Sequence, residues 1–502
     1  MLDELSLVIF LPVIGAVVLI CLYSAPIRFH KYLSFTISLA TLGAAINLWL
    51  QFDPSRGAFA LNLSELIQFE KNLPWISTLN IGYHIGLDGI SLLLVMLTTF
   101  LTPLCIWGSF GSIKERQKGY YIAFLLLETG MLGVFSSLDL VLFYLFWEAT
   151  LIPMYLLIGI WGGERRIYAA VKFILYTMVG SLLMLVGIIW IGWNSVEGRV
   201  TFDLLDLLTS GKFSLTAQKW LFLAFGLAFA IKVPLFPFHT WLPDAHTEAP
   251  TAGSIILAGI LLKMGTYGFL RFCLPLFPHA AQEFSGWMVM LSLIGIIYGG
   301  LVTVVQKDIK RLIAYSSVSH LGFVMLGIFS FNLVGMQGGT IQMINHGLST
   351  GALFYLVGVI YDRRHTRQIS EYGGLAKVMP RYATLFMIVA LSSIGLPGLN
   401  GFVGEFLILT GAFQVHSLYG IAGASGVVLA AVYLLWLYQR IFFGEVTHPE
   451  NQNLPDLSLR EKIILISMVV FIVWIGVHPT TWMAASENSV RWVITRVVSP
   501  IQ

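Results

Sequence analysis

Two lysines stand in the middle of long apolar segments. Lys232 lies two residues before Pro234, and Lys263 lies in the next apolar segment along the chain. A lysine at the centre of a bilayer costs about 2.5–3.5 kcal/mol on insertion scales, and such residues usually face a bundle interior and mark a path for ions or protons. The two lysines are therefore the first candidates for chemistry in this sequence.

A glutamate in another apolar segment, Glu148, is a natural partner for Lys232. Glu148 shares one helical face with Tyr144 and Tyr155. Each of two opposite charges reduces the burial penalty of the other. A carboxylate that moves towards or away from a buried ammonium group also stabilises or destabilises its protonated form. We expect a Glu148–Lys232 pair that loads and unloads a proton; the alternative is a neutral Glu148 that only packs.

Two histidines on neighbouring segments extend this set of titratable groups. His320 lies one turn after Ser316, and His346 shares a helical face with Gln342 and Ser349. Imidazole titrates near neutral pH and can relay a proton, although a single histidine in a packed bundle is more often a hydrogen-bonded structural residue. Because both histidines stand between Lys263 and Glu405 in the chain, we predict a proton path through six residues: Glu148, Lys232, Lys263, His320, His346 and Glu405.

A metal site is not expected. His239, Asp244, His246 and Glu248 follow the proline-containing stretch after Lys232, but their spacing fits no zinc motif. A segment that closes or lines an access channel is the preferred interpretation. The sequence has no G-x-G-x-x-G before a helix and no Walker loop, so we expect no nucleotide cofactor.

The three cysteines and two further acidic residues are expected to have structural roles. Cys21, Cys105 and Cys273 show no C-x-x-C spacing, which argues against an iron–sulfur cluster and a disulfide framework. Asp88 opens the third apolar segment and Glu128 lies in the fourth. Helix capping or charge pairing is the expected role of both acids.

The composition indicates a membrane protein with many spans. Of the 502 residues, 57% are hydrophobic and only 11% are charged, a balance that soluble domains do not show. Apolar segments of about 20 residues number about fourteen. The first of them, 5–23, has no basic region before it and no cleavage site, so we expect a retained span. The expected surroundings are the lipid bilayer, with no nucleic acid partner.

Basic residues predict the orientation of the chain. If the spans alternate in direction, eighteen of the 29 Lys and Arg fall on one side and eight on the other, with Arg271 among the eight. Cytoplasmic loops carry the excess of Lys and Arg. Both termini are therefore predicted to lie outside.

Two interrupted spans suggest an internal repeat. The seventh span is broken at Pro234 and Pro237, and the twelfth at 396–401. An offset of five spans reverses membrane direction, as in the inverted repeats of transporters. The predicted fold is an all-α membrane protein of about 14 transmembrane helices with two inverted five-helix repeats, each with a broken helix (spans 7 and 12). The predicted segments are 1–118 (spans 1–3), 119–272 (spans 4–8), 284–444 (spans 9–13) and 445–502 (span 14).

Several motifs resemble one known family. They are Phe146-Trp147-Glu148 followed by Ile152-Pro153-Met154-Tyr155, the stretch from Lys232-Val233-Pro234 to His246, and 257–263 ending in Lys263. Together they resemble the antiporter-like membrane subunits of proton-pumping NADH:quinone oxidoreductase, respiratory complex I, over nearly the whole chain. Gly404-Glu405-Phe406 and the stretch 352–363 resemble the M branch, since the L and N branches carry lysine where Glu405 stands.

The resemblance implies roles for the residues. Glu148 and Lys232 would form the coupled pair, Lys263 the central relay and Glu405 the terminal proton site, with His320 and His346 between them. It also implies L-type and N-type neighbours in a membrane arm, flavin and iron–sulfur clusters held only by partner subunits, and a bacterial inner membrane location.

Two other functions remain open at this point. A subunit of a multi-chain sodium/proton antiporter shares the broken helices and lysines but has no redox partner. A structural membrane spacer would use the buried charges only to fix helix packing.

Overall fold

The computed structural model describes residues 3–499, and most of these residues lie in helices. Within this range, twelve helices are long and apolar enough to cross a membrane, or up to 13 if the bent pair Leu459–Val477 and Thr480–Val498 forms one span. The predicted twelfth span consists of two shorter helices, Pro380–Ile394 and Asn400–Val415. The all-α membrane class is confirmed, and the number of fourteen spans stays a prediction.

The helices before the first break run from the amino terminus to Lys232. They are α1 (Glu4–Cys21), α2 (Ile27–Gln51), α3 (Gly89–Gly108), α4 (Gln117–Ser136), α5 (Leu140–Ala149), α6 (Leu151–Trp161), α7 (Arg166–Asn194), α8 (Leu204–Ser210) and α9 (Leu215–Lys232). Helices α1, α2 and α7 expose many large apolar side chains, Val186 to 65%. Such exposure is expected where a helix faces lipid rather than water.

The remaining helices include the most deeply buried part of the bundle. They are α10 (Trp241–Glu248), α11 (Thr251–Ile256), α12 (Leu262–Gly268), α13 (Leu274–Leu276), α14 (Pro278–Val304), α15 (Ile309–Ile328), α16 (Leu333–Arg364), α17 (Leu375–Val378), α18 (Pro380–Ile394), α19 (Asn400–Val415), α20 (Ser417–Phe442), α21 (Leu459–Val477) and α22 (Thr480–Val498). Two π-helical turns, Leu257–Leu261 and Phe269–Cys273, join α11, α12 and α13 into one span. This span and α16 are buried along their membrane-spanning lengths and form the centre of the protein.

Both predicted breaks are present. Between α9 and α10 the chain leaves the helix at Val233 and resumes at Trp241. Between α18 and α19 it passes through Gly395 and Gly398, whose φ angles of +85° and +90° suit only glycine at low cost.

The long polar loop between α2 and α3 contains an element that the sequence analysis did not predict. It folds into an antiparallel hairpin of β1 (Gln68–Ile76) and β2 (Ile81–Leu87), with Asn80 in the left-handed region at the turn. We call the side of the bundle that carries this hairpin the hairpin face. The opposite side, which carries the loop from 362 to 381, is the basic face.

A buried histidine ties the hairpin to the loop before α8. His84 contacts Asp203 through Nδ1, and its Nε2 lies 3.0 Å from Glu70 Oε1. Burial lowers the pKa of His84, but the hydrogen bonds and charges of Asp203 and Glu70 outweigh it, so the pKa lies above its ordinary value. The hairpin is therefore held by a histidine that favours its charged form.

The last helix bends away from α21 and contacts the hairpin face. Helix α22 makes an angle of 69° with α21. The Asn488 side chain donates to the Pro54 carbonyl (2.9 Å), and the Trp492 indole donates to the Leu61 carbonyl (3.2 Å). The Gly89 amide donates to Ser489 Oγ (3.2 Å) at the start of α3. Helix α22 thus covers the ends of several spans on this face.

The boundaries of the four predicted segments stay predictions. Residues 1–2 of the first segment and residues 500–502 of the last segment lie outside the described residues.

Candidate functional site

Lys263 and His346 meet at the centre of the bundle. The Lys263 Nζ lies 2.6 Å from His346 Nδ1 and also donates to the Ala258 carbonyl. Lys263 is fully buried, and His346 is 3% exposed. Ala258 belongs to the first π-helical turn of this span, and such turns occur frequently at functional sites. A charged Lys263 donates to Nδ1 of a neutral imidazole that carries its proton on Nε2, whereas a neutral Lys263 can accept from Nδ1.

His320 and Glu405 form a second contact next to the first. The His320 Nδ1 lies 3.0 Å from Glu405 Oε1, and the Tyr433 hydroxyl lies 3.2 Å from His320 Nε2. A neutral His320 that donates to the carboxylate through Nδ1 accepts from Tyr433 through Nε2, so both contacts agree with one tautomer. The ring centres of His320 and His346 are 5.9 Å apart. Lys263, His346, His320 and Glu405 therefore form one buried row, which we call the central row.

The carboxylate of Glu405 is positioned by α16. Gln342 Nε2 donates to Glu405 Oε1 over 3.2 Å, and Asn345 Nδ2 donates to Gln342 Oε1 over 3.1 Å. A Cβ atom on Gly404 would lie 2.2 Å from Gln342 Oε1. The glycine before Glu405 therefore allows Gln342 to approach the carboxylate.

The second break is stabilised by polar side chains of the same region. The Asn400 backbone carbonyl accepts from Asn345 Nδ2 (2.8 Å), and the Asn400 side chain accepts from Ser392 and Ser349. Irregular backbone at membrane depth persists only where protein or water satisfies its polar groups. These bonds hold α19, and Glu405 with it, next to α16.

Lys232 occupies a different environment. It is fully buried, and its ammonium group lies 5.3 Å from the Trp147 ring centre and 5.6 Å from that of Phe173. Its Nζ has no hydrogen-bond partner within residues 3–499. Such cation–π contacts partly compensate an ammonium group in an apolar site.

Glu148 and Lys232 do not form a direct ion pair among residues 3–499. No Glu148 oxygen lies within 4.0 Å of Lys232 Nζ in the described part of the chain, and Glu148 is only half-buried. Trp147, the residue before Glu148, lies beside the ammonium group instead, and the predicted coupling of Glu148 to Lys232 stays a prediction. Glu148 still lies in the same helix as Trp147, at its carboxyl end.

The first break is closed by α10 and α7. The Trp241 indole donates to the Ile231 carbonyl (2.9 Å), and the Leu235 amide donates to the Ala230 carbonyl (2.8 Å). Asp244 pairs with Lys172 of α7 at 2.7 Å. The Ala230 and Ile231 carbonyl groups at the end of α9 are therefore satisfied, and Lys232 lies in the last turn of that helix.

The residues after the first break do not gather around one point. Asp244 binds Lys172, Glu248 accepts from the Arg165 amide (3.0 Å), and the His246 ring stacks on Phe354 with centres 4.5 Å apart. Within residues 3–499, no group of three or more His, Cys, Asp or Glu could hold a metal ion.

Three buried charged residues lie outside the predicted proton path: Asp88, Arg271 and Glu128. Asp88 caps α3 by accepting from the Ser91 amide (3.0 Å) and pairs with Arg271, so both expected roles are present. Arg271 is 3% exposed and lies inside the eighth span at its hairpin end, and its predicted position on the outer side stays a prediction. Glu128 is fully buried in mid-helix, and neither oxygen has a hydrogen-bond partner among the described residues, so neither capping nor pairing applies.

Tyr433 is the functional candidate that sequence reasoning missed. It is one of 19 tyrosines, and its position in an apolar segment carries no signal that it meets His320. Only the packing of α20 against the centre of the bundle places its hydroxyl there.

Comparison with known proteins identifies the family. The family described as NADH:quinone oxidoreductase/Mrp antiporter, TM, matches residues 137–432, and the family described as NADH-ubiquinone oxidoreductase chain 4, amino terminus, matches residues 29–134. The chain belongs to the antiporter-like subunit family. The match includes both broken helices and the whole central row.

Individual members of the antiporter-like subunit family are similar over nearly their full lengths. NADH-quinone oxidoreductase subunit M of Rickettsia prowazekii is 45% identical over 490 residues, which is 97% of this chain and 98% of that protein. Subunit M of Rhodobacter capsulatus is 48% identical over 488 residues, 95% of this chain and 93% of that protein. The M-branch resemblance is thereby confirmed.

Solved structures agree with this assignment. A chain of respiratory complex I from Thermus thermophilus with bound NADH superposes with a TM-score of 0.85 at 33% identity, covering 97% of this chain and 99% of that chain. The Mrp complex from Dietzia sp. has a TM-score of 0.82 at 20% identity, covering 99% and 98%. The second likeness shows a common fold alone.

Proposed function

We propose that this chain is a proton-translocating membrane-arm subunit of a respiratory NADH:quinone oxidoreductase. It moves protons through buried Lys, His and Glu side chains, and the quinone is reduced elsewhere in the complex. The chain itself carries no redox chemistry. The similarity to subunit M proteins over at least 95% of the chain supports the assembly, and the central row supports the activity.

The central row is the observation that carries the proposal. Lys263 contacts His346, and His320 contacts Glu405, at 2.6 and 3.0 Å respectively. Each of these groups can bind and release a proton. The 5.9 Å between the imidazole centres is short enough for one ring rotation or one water molecule to link the two contacts. Protons can therefore pass from the eighth span to the twelfth within the plane of the membrane.

Lys232 supplies the control step. Its ammonium group is buried beside Trp147 and Phe173 without a hydrogen bond. A carboxylate that approaches stabilises its charged form, and one that withdraws favours proton release. Since Glu148 and Lys232 are not in direct contact, we propose that Glu148 acts over a longer distance or approaches in another state of the complex.

The assembly implies the remaining assignments. We propose L-type and N-type neighbours in the membrane arm, flavin and iron–sulfur clusters held by other subunits, and a bacterial inner membrane with both termini on the periplasmic side. In this orientation the hairpin face is periplasmic and the basic face is cytoplasmic.

The experiment that tests the proposal replaces the last titratable group of the central row. Glu405→Gln keeps the shape of the side chain and its contacts with His320 and Gln342 but cannot carry a proton. We expect the assembled complex to lose most proton pumping, measured in vesicles and normalised to assembled complex. Glu450→Gln, at an exposed glutamate, is the matched control. Wild-type pumping by an assembled Glu405→Gln complex would exclude Glu405 from the path.

The two alternatives make different predictions. A subunit of a sodium/proton antiporter would exchange sodium for protons in vesicles without NADH, whereas the proposed subunit needs electron transfer in the complex. A structural spacer would support normal pumping after both Glu148 and Lys232 are replaced by uncharged residues.

A further inference from the structure

A second buried charge cluster lies on the hairpin side of Lys263. Tyr267 and Arg271 follow Lys263 at four-residue intervals in the same span, and both are buried. At 1.5 Å rise per residue, they lie about 6 and 12 Å beyond Lys263. They therefore lie along this span between Lys263 and the hairpin face.

The cluster joins three spans. Arg271 pairs with Asp88 at the start of α3 and donates through Nη2 to Ser91 Oγ at 3.2 Å. Its Nε donates to the Tyr267 hydroxyl at 3.2 Å, and the Ser91 and Tyr267 oxygens are 3.1 Å apart. Tyr267 donates its own proton to the Phe135 carbonyl of α4 at 3.1 Å.

The direction of these hydrogen bonds prevents proton transfer. A proton moves along a chain only if each group can accept on one side and donate on the other. Arginine has five donors and no acceptor, and with a pKa above about 12 it does not release a proton in proteins. The single Tyr267 proton is held by a backbone carbonyl, which cannot pass it on.

Helix α22 closes the cluster from outside. The Gly89 amide, next to Asp88, donates to Ser489 Oγ (3.2 Å). A Cβ atom on Gly89 would lie 1.6 Å from the Ala485 carbonyl oxygen. The start of α3 therefore packs directly against the α22 backbone, and Asp88 and Arg271 are only 1% and 3% exposed.

We infer that Arg271, held by Asp88, is a proton stop that closes the hairpin end of the Lys263 segment. A fixed cation that cannot exchange its proton keeps protons at Lys263 from leaking to the hairpin face. They leave instead through His346 into the central row. Arg271 is a positioning residue for the proton path, and this inference rests on the proposed function of that path.

The test is the passive proton permeability of the assembled complex in liposomes without NADH, after a pH jump with potassium and valinomycin. We expect Arg271→Gln to raise proton permeability several-fold, and Arg271→Lys, which keeps a cation, to raise it less. Asp88→Asn removes the negative charge but keeps the Arg271 cation, so the proton permeability of these vesicles should stay at the wild-type value. A purely structural ion pair predicts equal effects of Asp88→Asn and Arg271→Gln, so equal permeability in these two variants overturns the inference.

Controls separate this inference from the proposed function. Arg199→Gln, at the exposed Arg199–Asp206 pair, should leave permeability unchanged. Where Arg271→Gln fails to assemble because Asp88 is left buried and unpaired, the double variant Asp88→Asn/Arg271→Gln removes both charges and should leak. If the assembled double variant has the same proton permeability as the wild type, the proton stop is overturned, even if the wild type pumps normally. Loss of the proposed function would appear instead as wild-type complex that does not pump.

Discussion

The ammonium group of Lys263 lies 2.6 Å from Nδ1 of His346, a residue 83 positions later in the chain. This contact joins the eighth span to the eleventh at the centre of the bundle. It places the lysine at the start of the central row, which ends at Glu405.

Replacing Lys263 by arginine should block the central row. Arginine keeps the charge and can donate to His346 Nδ1, but it cannot release a proton. We expect assembled Lys263→Arg complex to lose at least about tenfold in proton pumping, since acid–base steps commonly contribute about 100-fold or more. Proton uptake by vesicles, normalised to assembled complex, measures it. Lys232→Arg should behave in the same way; wild-type pumping by both variants would leave the lysines only a role in holding the broken helix.

Removing the carboxylate of Glu148 should reduce pumping without preventing assembly. Glu148 is half-buried, and the Lys232 ammonium group already has no hydrogen-bond partner among residues 3–499, so the loss of the carboxylate breaks no hydrogen bond to that buried cation. We expect Glu148→Ala to pump at least about tenfold more slowly and Glu148→Asp to be milder, because aspartate keeps a carboxylate. The rate is measured in the same vesicle assay. Normal pumping by assembled Glu148→Ala would remove Glu148 from the control of Lys232.

The loop from 362 to 381 should face the cytoplasm. It carries the five basic residues Arg363, Arg364, Arg367, Lys377 and Arg381, and cytoplasmic loops hold the excess of Lys and Arg. A cysteine introduced at the exposed Ser370 should react with an impermeant thiol reagent only after the cells are opened. Rapid labelling in intact cells would reverse the proposed orientation. A cysteine at Ser55 on the hairpin face, also exposed, is the matched control and should be labelled from outside.

The hairpin should loosen as the pH rises. Burial lowers the pKa of His84, but Asp203 and Glu70 raise it above the ordinary 6.5. A histidine with a raised pKa in the folded state contributes stability that is complete below its unfolded pKa and is lost as pH rises through the folded pKa. Amide hydrogen exchange in 68–87, corrected for intrinsic rates, should therefore accelerate above the pKa of folded His84. His84→Gln should remove this dependence, and an unchanged profile in that variant would contradict the assignment.

The purified chain should show no flavin, haem or iron–sulfur absorbance. The sequence contains no motif for these groups, and the proposed assembly places them in other subunits. Optical spectra and metal analysis of the purified chain measure this. A stoichiometric cofactor would contradict the division of roles proposed here.

The sequence by itself determined the membrane class, the two breaks and the identity of the charged residues in the spans. Proline at 234 and 237 must interrupt a helix because it lacks an amide donor and clashes with the preceding turn. Lysine in an apolar segment indicates a function because its burial is costly. These conclusions depend on local chain properties, which remain the same whatever the helix packs against.

Only the tertiary structure decided which charged groups meet. Glu405 lies 85 positions from His320 in the chain, and no periodicity specifies that their helices cross there. The same holds for Lys232, whose ammonium group lies beside Trp147 and Phe173, and for Arg271, which is buried against Asp88. The hairpin was also missed, because a two-stranded sheet depends on packing against other elements, here α4, α5 and the loop before α8. Side-chain partners across a bundle depend on how the helices pack. Local patterns in a single sequence predict each helix but not which helices it will contact.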